Sequence, residues 1–599
     1  MGRKINDFVL HIATSNGSGS QSSNNTLVRT LFRMGIPVTG KNLFPSNISG
    51  LPTWFTIRAN PEGFTARREE SDIVISMNPS TALEDQKSVT SGGHFFLNDE
   101  IQFPEALRRQ DINFISIPFK KIVEPITDSG KLKKLLVNMI YVGVLAELLE
   151  LDPQVLLDVV NTLFADKAEV IELNTRSIAA GQNWAKENLQ INEFPIKARI
   201  VPGGNENKIL IDGNSASALG WLFGGCTVAA WYPITPSSSL VEAFQKYAHK
   251  YRTSENGNRR AAIVQAEDEL ASISMVLGAG WAGARAVTAT SGPGLSLMSE
   301  AAGLAYFAEI PSVIWNVQRG GPSTGLPTRT QQADLSAAQN LSHGDTQHIV
   351  LLPANPSECF EFGQTGFDLA ERLQTLVIVL SDLDLGMNLW VSDEFNYAQK
   401  PYDRGKVLSH ADLDRLGTFA RYRDIDGDGI PQRTLPGTHH PLAAYFTRGT
   451  GHDEKSNYSE NPQVYAAMLD RLKAKFETAK NLVPNPVIDR DPKAEVSLIA
   501  FGSTDFAVPE VRRLLNEKQT PTNYLRLRAL PMSEEVEKFL AESKRVYIIE
   551  QNRDGQLARL IREQWPQHHH KLYSVLQYDG MPITPLKVFN QIAHSENQL

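Results

Sequence analysis

Trp231-Tyr232-Pro233-Ile234-Thr235-Pro236-Ser237-Ser238-Ser239 is the stretch on which the reading of the fold turns. It follows a short β-rich run at 227–232 and leads into a helix-compatible segment. Two prolines fix the backbone on either side of Thr235, and the serines are placed to cap the next helix, whose free amides favour an anion. On its own the stretch reads first as a proline-stiffened turn with an N-cap. Its surroundings decide. Runs at 261–265, 286–289, 312–318 and 375–380 are likewise short, β-rich and separated by helix-compatible stretches, the pattern of a parallel sheet in an α/β domain.

Outward from this sheet the chain divides. Phe8-Val9-Leu10-His11-Ile12-Ala13 reads as a strand, the Gly/Ser-rich 15–23 as a turn, and the residues through Leu27, Leu31 and Phe32 as a helix, the opening of a doubly wound α/β unit. Strands at 54–58 and 73–75 and helices at 131–149 and 153–163 fill out a first domain over 1–191. Residues 192–207, polar with Gly-Gly and Pro, read as a linker. The central domain runs over 208–384. Residues 385–490 lose the strand–helix rhythm and read as an extended excursion ending in a helix at 462–480. Strands at 495–500, 522–528 and 545–550 define a smaller C-terminal α/β domain over 491–599.

With 599 residues, one hydrophobic core is excluded. The apolar fraction of 41% and charged fraction of 21% place the chain among ordinary globular proteins, and a formal charge of -8 argues against a nucleic-acid footprint. Only Cys226 and Cys359 are present, so no disulfide framework is expected. The same count excludes a conventional four-thiolate iron–sulfur cluster held by this chain alone. Any electron carrier must sit elsewhere. The N-terminal residues lack the apolar stretch of a signal peptide, and the most apolar run, 135–149, is too short to span a bilayer. It reads as a buried helix in a cytoplasmic protein that does not contact membrane.

Three further segments carry chemistry. Gln265-Ala266-Glu267-Asp268-Glu269 ends a strand and starts a helix. Such acids serve as a solvated helix N-terminus, yet a carboxyl group at the end of a parallel strand also lies where α/β proteins place their sites. Thr290-Ser291-Gly292-Pro293-Gly294 permits close approach of a ligand. Gln318-Arg319-Gly320-Gly321-Pro322-Ser323-Thr324-Gly325-Leu326-Pro327-Thr328 sets an arginine at a strand end beside glycines and hydroxyls, where its fork can clamp a carboxylate or phosphate.

In this order and spacing, the segments resemble the 2-oxoacid:ferredoxin oxidoreductases, in particular the 2-oxoglutarate:ferredoxin oxidoreductase subunit in which the gamma and alpha parts are fused. Residues 232–238 match the family's most specific motif, and the match continues through Gly213-Asn214, Glu267, Thr290 to Gly294 and Arg319 to Thr328. Pro45-Ser46-Asn47-Ile48-Ser49-Gly50-Leu51-Pro52-Thr53-Trp54 resembles the gamma part. Glu550-Gln551-Asn552-Arg553-Asp554-Gly555-Gln556-Leu557 resembles the transketolase-C-like part.

The resemblance implies a multidomain α/β fold. A parallel-sheet, pyrimidine-type thiamine-diphosphate-binding domain is flanked by an N-terminal gamma domain and a C-terminal transketolase-C-like domain. It implies that Glu267 hydrogen-bonds N1′ of the aminopyrimidine, for which the carboxyl should be desolvated and its pKa raised. It implies that Arg319 pairs with the 2-oxoacid carboxylate, that Thr235 and Thr328 are hydroxyl partners of the substrate, and that Tyr232, Pro233, Ile234, Thr235, Ser291 and Gly292 line the cofactor. The partner is a beta subunit that carries the diphosphate and Mg2+ site and a 4Fe-4S cluster. Coenzyme A is the acyl acceptor, ferredoxin takes the electrons, and an (alpha-beta)2 heterotetramer is expected. The substrate is read as 2-oxoglutarate, with pyruvate or a branched-chain oxoacid as the alternative. A lipoamide- or sugar-directed thiamine enzyme and a non-catalytic α/β nucleotide-binding scaffold are the readings of other classes. The run Ser15-Asn16-Gly17-Ser18-Gly19-Ser20-Gln21-Ser22-Ser23 departs from the glycine-dense loop of many relatives, which removes the ground for assigning coenzyme A to that loop.

Asp424-Ile425-Asp426-Gly427-Asp428-Gly429 has the acid spacing of a calcium loop, but Leu435 stands where the closing glutamate belongs. It reads as a solvated turn or an isolated cation site. No metal is assigned to this chain. His568-His569-His570 reads as surface, Cys226 as a small core residue, and His452, followed by Asp453-Glu454, as a residue at an interface or an ordinary loop histidine.

Overall fold

The computed structural model describes residues 3–45, 49–165, 167–398 and 401–598. Ser46, Asn47 and Ile48 of the gamma-like motif lie outside the described residues. The chain forms two units. One comprises Met1–Ile211 with Asn388–Glu394 and Ile583–Leu586, the other Asp212–Met387, Phe395–Pro582 and Lys587–Leu599.

The first unit is built on a six-stranded sheet of β1 (Phe8–Ser15), β2 (Val38–Leu43), β3 (Pro52–Ala59), β4 (Ser71–Ser76), β5 (Val89–Asn98) and β6 (Asn113–Ile117). The strand order is β2-β3-β1-β4-β5-β6. Strand β1 lies at the centre with residues buried on both faces, which is why it is apolar from Phe8 to Ala13 but for the half-buried His11. The sheet is mixed rather than doubly wound throughout: β3 runs antiparallel to both β1 and β2, whereas β4, β5 and β6 continue in parallel. The connection over 44–51 is too short for a parallel crossover.

Helices α1 (Ser20–Arg33), α2 (Gly130–Leu148), α3 (Pro153–Leu163) and α4 (Ala168–Asn188) belong to this unit. The apolar run read as a buried helix is α2, buried almost continuously from Leu136 to Leu148. It crosses α4 closely, because a Cβ at Gly143 would lie 2.0 Å from the Ile178 carbonyl and one at Gly181 2.2 Å from that of Ile140. Residues 192–207, read as a linker, are also held here: Ile196–Lys197 pairs in parallel with Lys4–Ile5, and Asn205 donates to the Phe32 and Ile36 carbonyls. The strand Lys208–Ile211 pairs with Trp390–Asp393 in the same unit. No helix among the described residues is long and apolar enough to cross a membrane.

In the second unit, α5 (Gly213–Phe223) precedes β7 (Val228–Trp231), α6 (Ser238–Tyr251), β8 (Ala262–Gln265), α7 (Glu269–Trp281), β9 (Ala286–Thr290), β10 (Ser312–Gln318), β11 (Ile349–Leu351), α8 (Pro356–Leu373) and β12 (Leu376–Asp382). After the excursion come α9 (Pro462–Ala479), β13 (Val487–Asp489), β14 (Val496–Phe501), β15 (Thr522–Leu527), β16 (Ala529–Leu530), β17 (Arg545–Glu550) and β18 (Leu572–Leu576). The larger sheet has the order β8-β7-β9-β10-β12-β11-β16, parallel except for β16, and the smaller β13-β15-β14-β17-β18, parallel except for β13. Three helices begin with the pair Asx-Pro, at Asp152-Pro153, Asn355-Pro356 and Asn461-Pro462; in each the Asx side chain accepts a first-turn amide and proline takes the position that needs no donor.

Buried charges, not apolar periodicity, tie down the excursion. Glu309 is fully buried and takes Lys475 at 2.9 Å and Arg471 at 3.1 Å, which pull its carboxyl down to about 2 against the opposing effect of burial. Glu371 receives Arg285 at 2.9 Å and Arg404 at 2.7 Å. At the calcium-like turn, the Lys406 ammonium sits 2.6 Å from Asp426 and 2.7 Å from Asp428, while Asp424 accepts the amides of Gly427 and Gly429. The cation among these acids is a lysine of the chain itself.

Candidate functional site

Strand β7 has β8 on one side and β9 on the other, so the chain reverses its direction of travel across the sheet at β7. The crevice outside the carboxyl ends of strands at such a reversal is where open α/β sheets bind ligands. The sequence motifs gather there. Tyr232 to Thr235 leave the end of β7, Glu267 that of β8, Ser291 and Gly292 that of β9, and Arg319 that of β10.

The 232–239 turn is held differently from its reading in sequence. Ser237 is helical at its own φ/ψ and makes no capping bond; a cap hydroxyl reaches the first-turn amides from extended backbone. Instead the Ser237 and Ser238 hydroxyls donate to the Ile234 carbonyl at 3.0 and 3.3 Å, as do their amides. Those amides are therefore not free for an anion. Asn214 secures the turn from α5, donating to the Pro236 carbonyl at 3.0 Å and the Ser239 hydroxyl at 2.8 Å. Sequence reasoning placed Asn214 in a motif without giving it a task. Tyr232 and Pro233 are left exposed, with Ile234 and Thr235 half-buried.

Glu267 is exposed, not withdrawn from water as the resemblance required. The reason is its position: it follows β8, the edge strand, which no further strand of this chain covers among the described residues. The buried acid of the three is Glu269, at 7% exposure, while Asp268 caps α7 by accepting the Ala271 amide at 2.7 Å. Glu269 lies against the 290–294 loop, where a Cβ on Gly294 would fall 2.0 Å from the Thr290 hydroxyl and 2.7 Å from Glu269 Cγ. Only glycine fits that position.

Arg319 is buried, at 8% exposure. Its Nη1 donates to the Thr235 carbonyl at 2.7 Å and its Nη2 to that of Thr324 at 3.4 Å, while its Nε is buried without a partner. Burial draws its pKa down, opposed by the nearby Asp334. Thr328 is buried in the same loop beside Arg329, which closes back through the bond from the Gly320 amide to the Arg329 carbonyl at 2.9 Å. Thus Arg319 and Thr235 are joined directly, and Thr328 belongs to the Arg319 loop. The Ser291 hydroxyl and Asn214 Oδ1 are also buried without partners, although buried polar groups are nearly always paired.

A carboxylate, an exposed turn and a buried arginine with one unpartnered nitrogen gathered at a switch point make a ligand- or cofactor-binding site of an α/β protein. Residues 220–423 match the family described as "Pyruvate flavodoxin/ferredoxin oxidoreductase, thiamine diP-bdg", and 9–184 match "Pyruvate ferredoxin/flavodoxin oxidoreductase". The chain is 30% identical to subunit alpha of 2-oxoacid:ferredoxin oxidoreductase 2 from Aeropyrum pernix, covering 93% of each. It is 28% identical to the 2-oxoglutarate oxidoreductase subunit KorA of Mycobacterium tuberculosis, over 94% of this chain and 87% of that one. Among solved structures, 2-oxoglutarate:ferredoxin oxidoreductase from Magnetococcus marinus, with 2-oxoglutarate, coenzyme A and succinyl-CoA bound, superimposes with a TM-score of 0.88 at 28% identity, over 98% of this chain and 99% of that one. The chain belongs to the 2-oxoacid:ferredoxin oxidoreductase family, as an alpha subunit.

The residues present suit thiamine diphosphate on its pyrimidine side. Ile234 and Tyr232 offer apolar surface, Glu267 a carboxylate, and Ser291 a buried hydroxyl in want of a partner. When bound, the cofactor supplies the nucleophilic carbon and the electron sink for decarboxylation of a 2-oxoacid.

Proposed function

We propose that this alpha subunit works in the cytoplasm with a beta subunit to convert 2-oxoglutarate, CoA and two oxidised ferredoxins into succinyl-CoA, CO2, two reduced ferredoxins and the proton given up by the CoA thiol. In the reverse sense the same complex carries out reductive carboxylation. The observation that supports this best is Arg319. A buried guanidinium whose hydrogen bonds go only to carbonyls keeps its charge for a ligand anion, and its fork matches a carboxylate. Thr235 and Thr328 stand on the segments it joins and present hydroxyls to the same substrate. Tyr232, Pro233, Ile234, Ser291 and Gly292 hold the pyrimidine side of the cofactor.

Glu267 takes its role only in the assembled complex. The beta subunit covers the mouth of the crevice, withdraws this carboxyl from water and lets it share a proton with the pyrimidine N1′. It brings the diphosphate and Mg2+ site and the 4Fe-4S cluster, in an (alpha-beta)2 assembly. Apolar side chains are exposed on the two elements that flank Glu267: Val264 on the edge strand and Leu270 and Met275 on α7 are 38, 48 and 44% exposed, surface that a beta subunit seated there would cover.

CoA is assigned to the first unit. A cavity of about 650 Å³ there is lined by the apolar Phe119, Val123 and Val137 and by Lys131 and Lys134. Lys120 and Lys133 also line it but are paired with Glu100 and Glu124, so an apolar bed with two lysines is what it offers a phosphorylated nucleotide thiol.

The test is co-expression with the beta subunit and reduction of viologen in the presence of CoA. Reduction with 2-oxoglutarate well above that with pyruvate or branched oxoacids is expected. Preference for pyruvate overturns the substrate, and no reduction with any oxoacid overturns the activity.

A further inference from the structure

Behind Arg319 stands an acid that the proposed reaction does not yet use. Asp334 lies where the chain returns from the arginine loop, just before the short helix Leu335–Gln339, and its amide donates to the Gln318 side chain at 3.0 Å. Its carboxylate accepts the fully buried Asn316 amide at 2.8 Å. On its other side it faces Gly292, where a Cβ would lie 3.1 and 3.3 Å from the two carboxylate oxygens. The carboxylate is therefore wedged between the strand that delivers Arg319 and the loop that floors the crevice. Its backbone is bonded to Gln318, the residue immediately before Arg319, yet no ion pair within 4 Å joins Asp334 to Arg319 among the described residues. Burial pushes the Asp334 carboxyl up, and the Asn316 amide and the Arg319 charge oppose it and favour the anion.

A direct ion pair would consume the arginine's donors. An anion set one layer behind does something else: it weakens the grip of Arg319 on a carboxylate without occupying its fork. Decarboxylation makes that difference useful. The bond between C1 and C2 of the oxoacid breaks, its electron pair stays with C2, and C1 leaves as neutral CO2. The carboxylate charge facing Arg319 thus disappears on the way to the transition state. Binding it tightly would stabilise the ground state alone and slow the step.

We propose that Asp334 is a positioning residue that attenuates Arg319, so that the substrate carboxylate is oriented without being overbound. The inference rests on the reading of Arg319 as the carboxylate clamp. It assigns to Asp334 an effect on ground-state binding opposite in sign to that of Arg319.

The experiment uses the assembled alpha–beta complex with Asp334→Asn, which keeps volume and an acceptor but removes the charge. One readout is the calorimetric Kd for N-oxalylglycine, the unreactive amide isostere of 2-oxoglutarate, with oxamate in its place if pyruvate proves to be the substrate. The other is KM and kcat for the oxoacid. Kd and KM are expected to fall by about five- to thirtyfold, the scale of one charge acting through a partly buried site, with kcat falling alongside. Asp334→Ser should give the same split. Unchanged or weaker binding in these variants overturns the proposal, and loss of assembly in both would make Asp334 structural and overturn it too. If Arg319→Ala leaves N-oxalylglycine binding intact, the clamp itself is wrong. If Arg319→Ala weakens binding while the Asp334 variants change nothing, only the present inference fails.

Discussion

The guanidinium of Arg319 reaches from the end of β10 past the β9 loop to the backbone carbonyl of Thr235 at the end of β7, 2.7 Å away. One side chain thereby fixes the separation of the two segments between which a substrate would lie. Removing it should act on binding first. Arg319→Ala is expected to raise KM for the oxoacid by the equivalent of about 2–5 kcal/mol, the cost of losing one partner of a buried charged contact. Arg319→Lys should recover only part of that, because an ammonium cannot reproduce the two-pronged geometry. Steady-state kinetics on the complex decides, and an unaltered KM in the alanine variant rejects the clamp.

Glu267 poses a different case, since its carboxyl is exposed in this chain. Glu267→Gln in the assembled complex should lower turnover by orders of magnitude, with the subunits still co-purifying. Carbodiimide modification offers an independent check: Glu267 should label readily in the isolated alpha subunit and become protected when the beta subunit is added. Equal labelling in both states would leave the carboxyl outside the interface.

The exposed apolar residues around that mouth make assembly testable. Met275→Asp together with Leu270→Asp places two charges on exposed positions of α7, so the fold of the isolated chain should change little. In an interface the same charges would be desolvated without partners. Size-exclusion chromatography of the co-expressed subunits should show the complex lost while circular dichroism of the alpha chain is retained. A variant that assembles normally moves the beta subunit to another face.

Much of this architecture was legible in the sequence because strands buried on both faces are largely apolar, as Val313–Trp315 and Leu376–Leu380 are within their strands. The motifs at their ends followed from the same logic. What escaped was long-range or charged. The bond from Arg319 to Thr235 spans 84 positions, and no local pattern announces it. Helix α4 was missed because its composition is balanced between polar and apolar and its closest approach is made by Gly181, which carries no hydrophobic signal. The excursion resisted reading because Glu309 with Lys475, and Glu371 with its arginines, hold it through buried charges that look like surface residues in one dimension. Among three adjacent acids, spacing cannot say which is buried; Glu269 is turned inward as the first residue of α7, while Glu267 stands exposed just past the edge strand β8.

His348 allows one of these buried groups to be weighed. It is fully buried in the second unit, and its Nε2 lies 2.7 Å from the Leu341 carbonyl, which can only accept, so that nitrogen carries the proton. The other nitrogen, Nδ1, is buried without a partner. Adding a second proton would charge a ring whose Nδ1 has no acceptor to meet it, and burial holds the imidazole at about 4 against the opposing effect of the Leu341 carbonyl. The folded-state value lies below the ordinary 6.5. The stability this group confers is therefore intact above about pH 6.5 and is lost as the pH falls towards 4, a loss on the order of 3 kcal/mol. His11, by burial and the nearby Arg67 charge, and His94, by burial, are also held at about 4 and should add to the same acid sensitivity. In His348→Gln the amide can still donate to Leu341 but takes up no proton. Its urea midpoint should start lower at neutral pH and then fall less steeply than that of the parent between pH 6.5 and 4. Parallel midpoint curves for the two proteins would mean that His348 is protonated as easily folded as unfolded, and that the buried neutral ring is not what limits stability in acid.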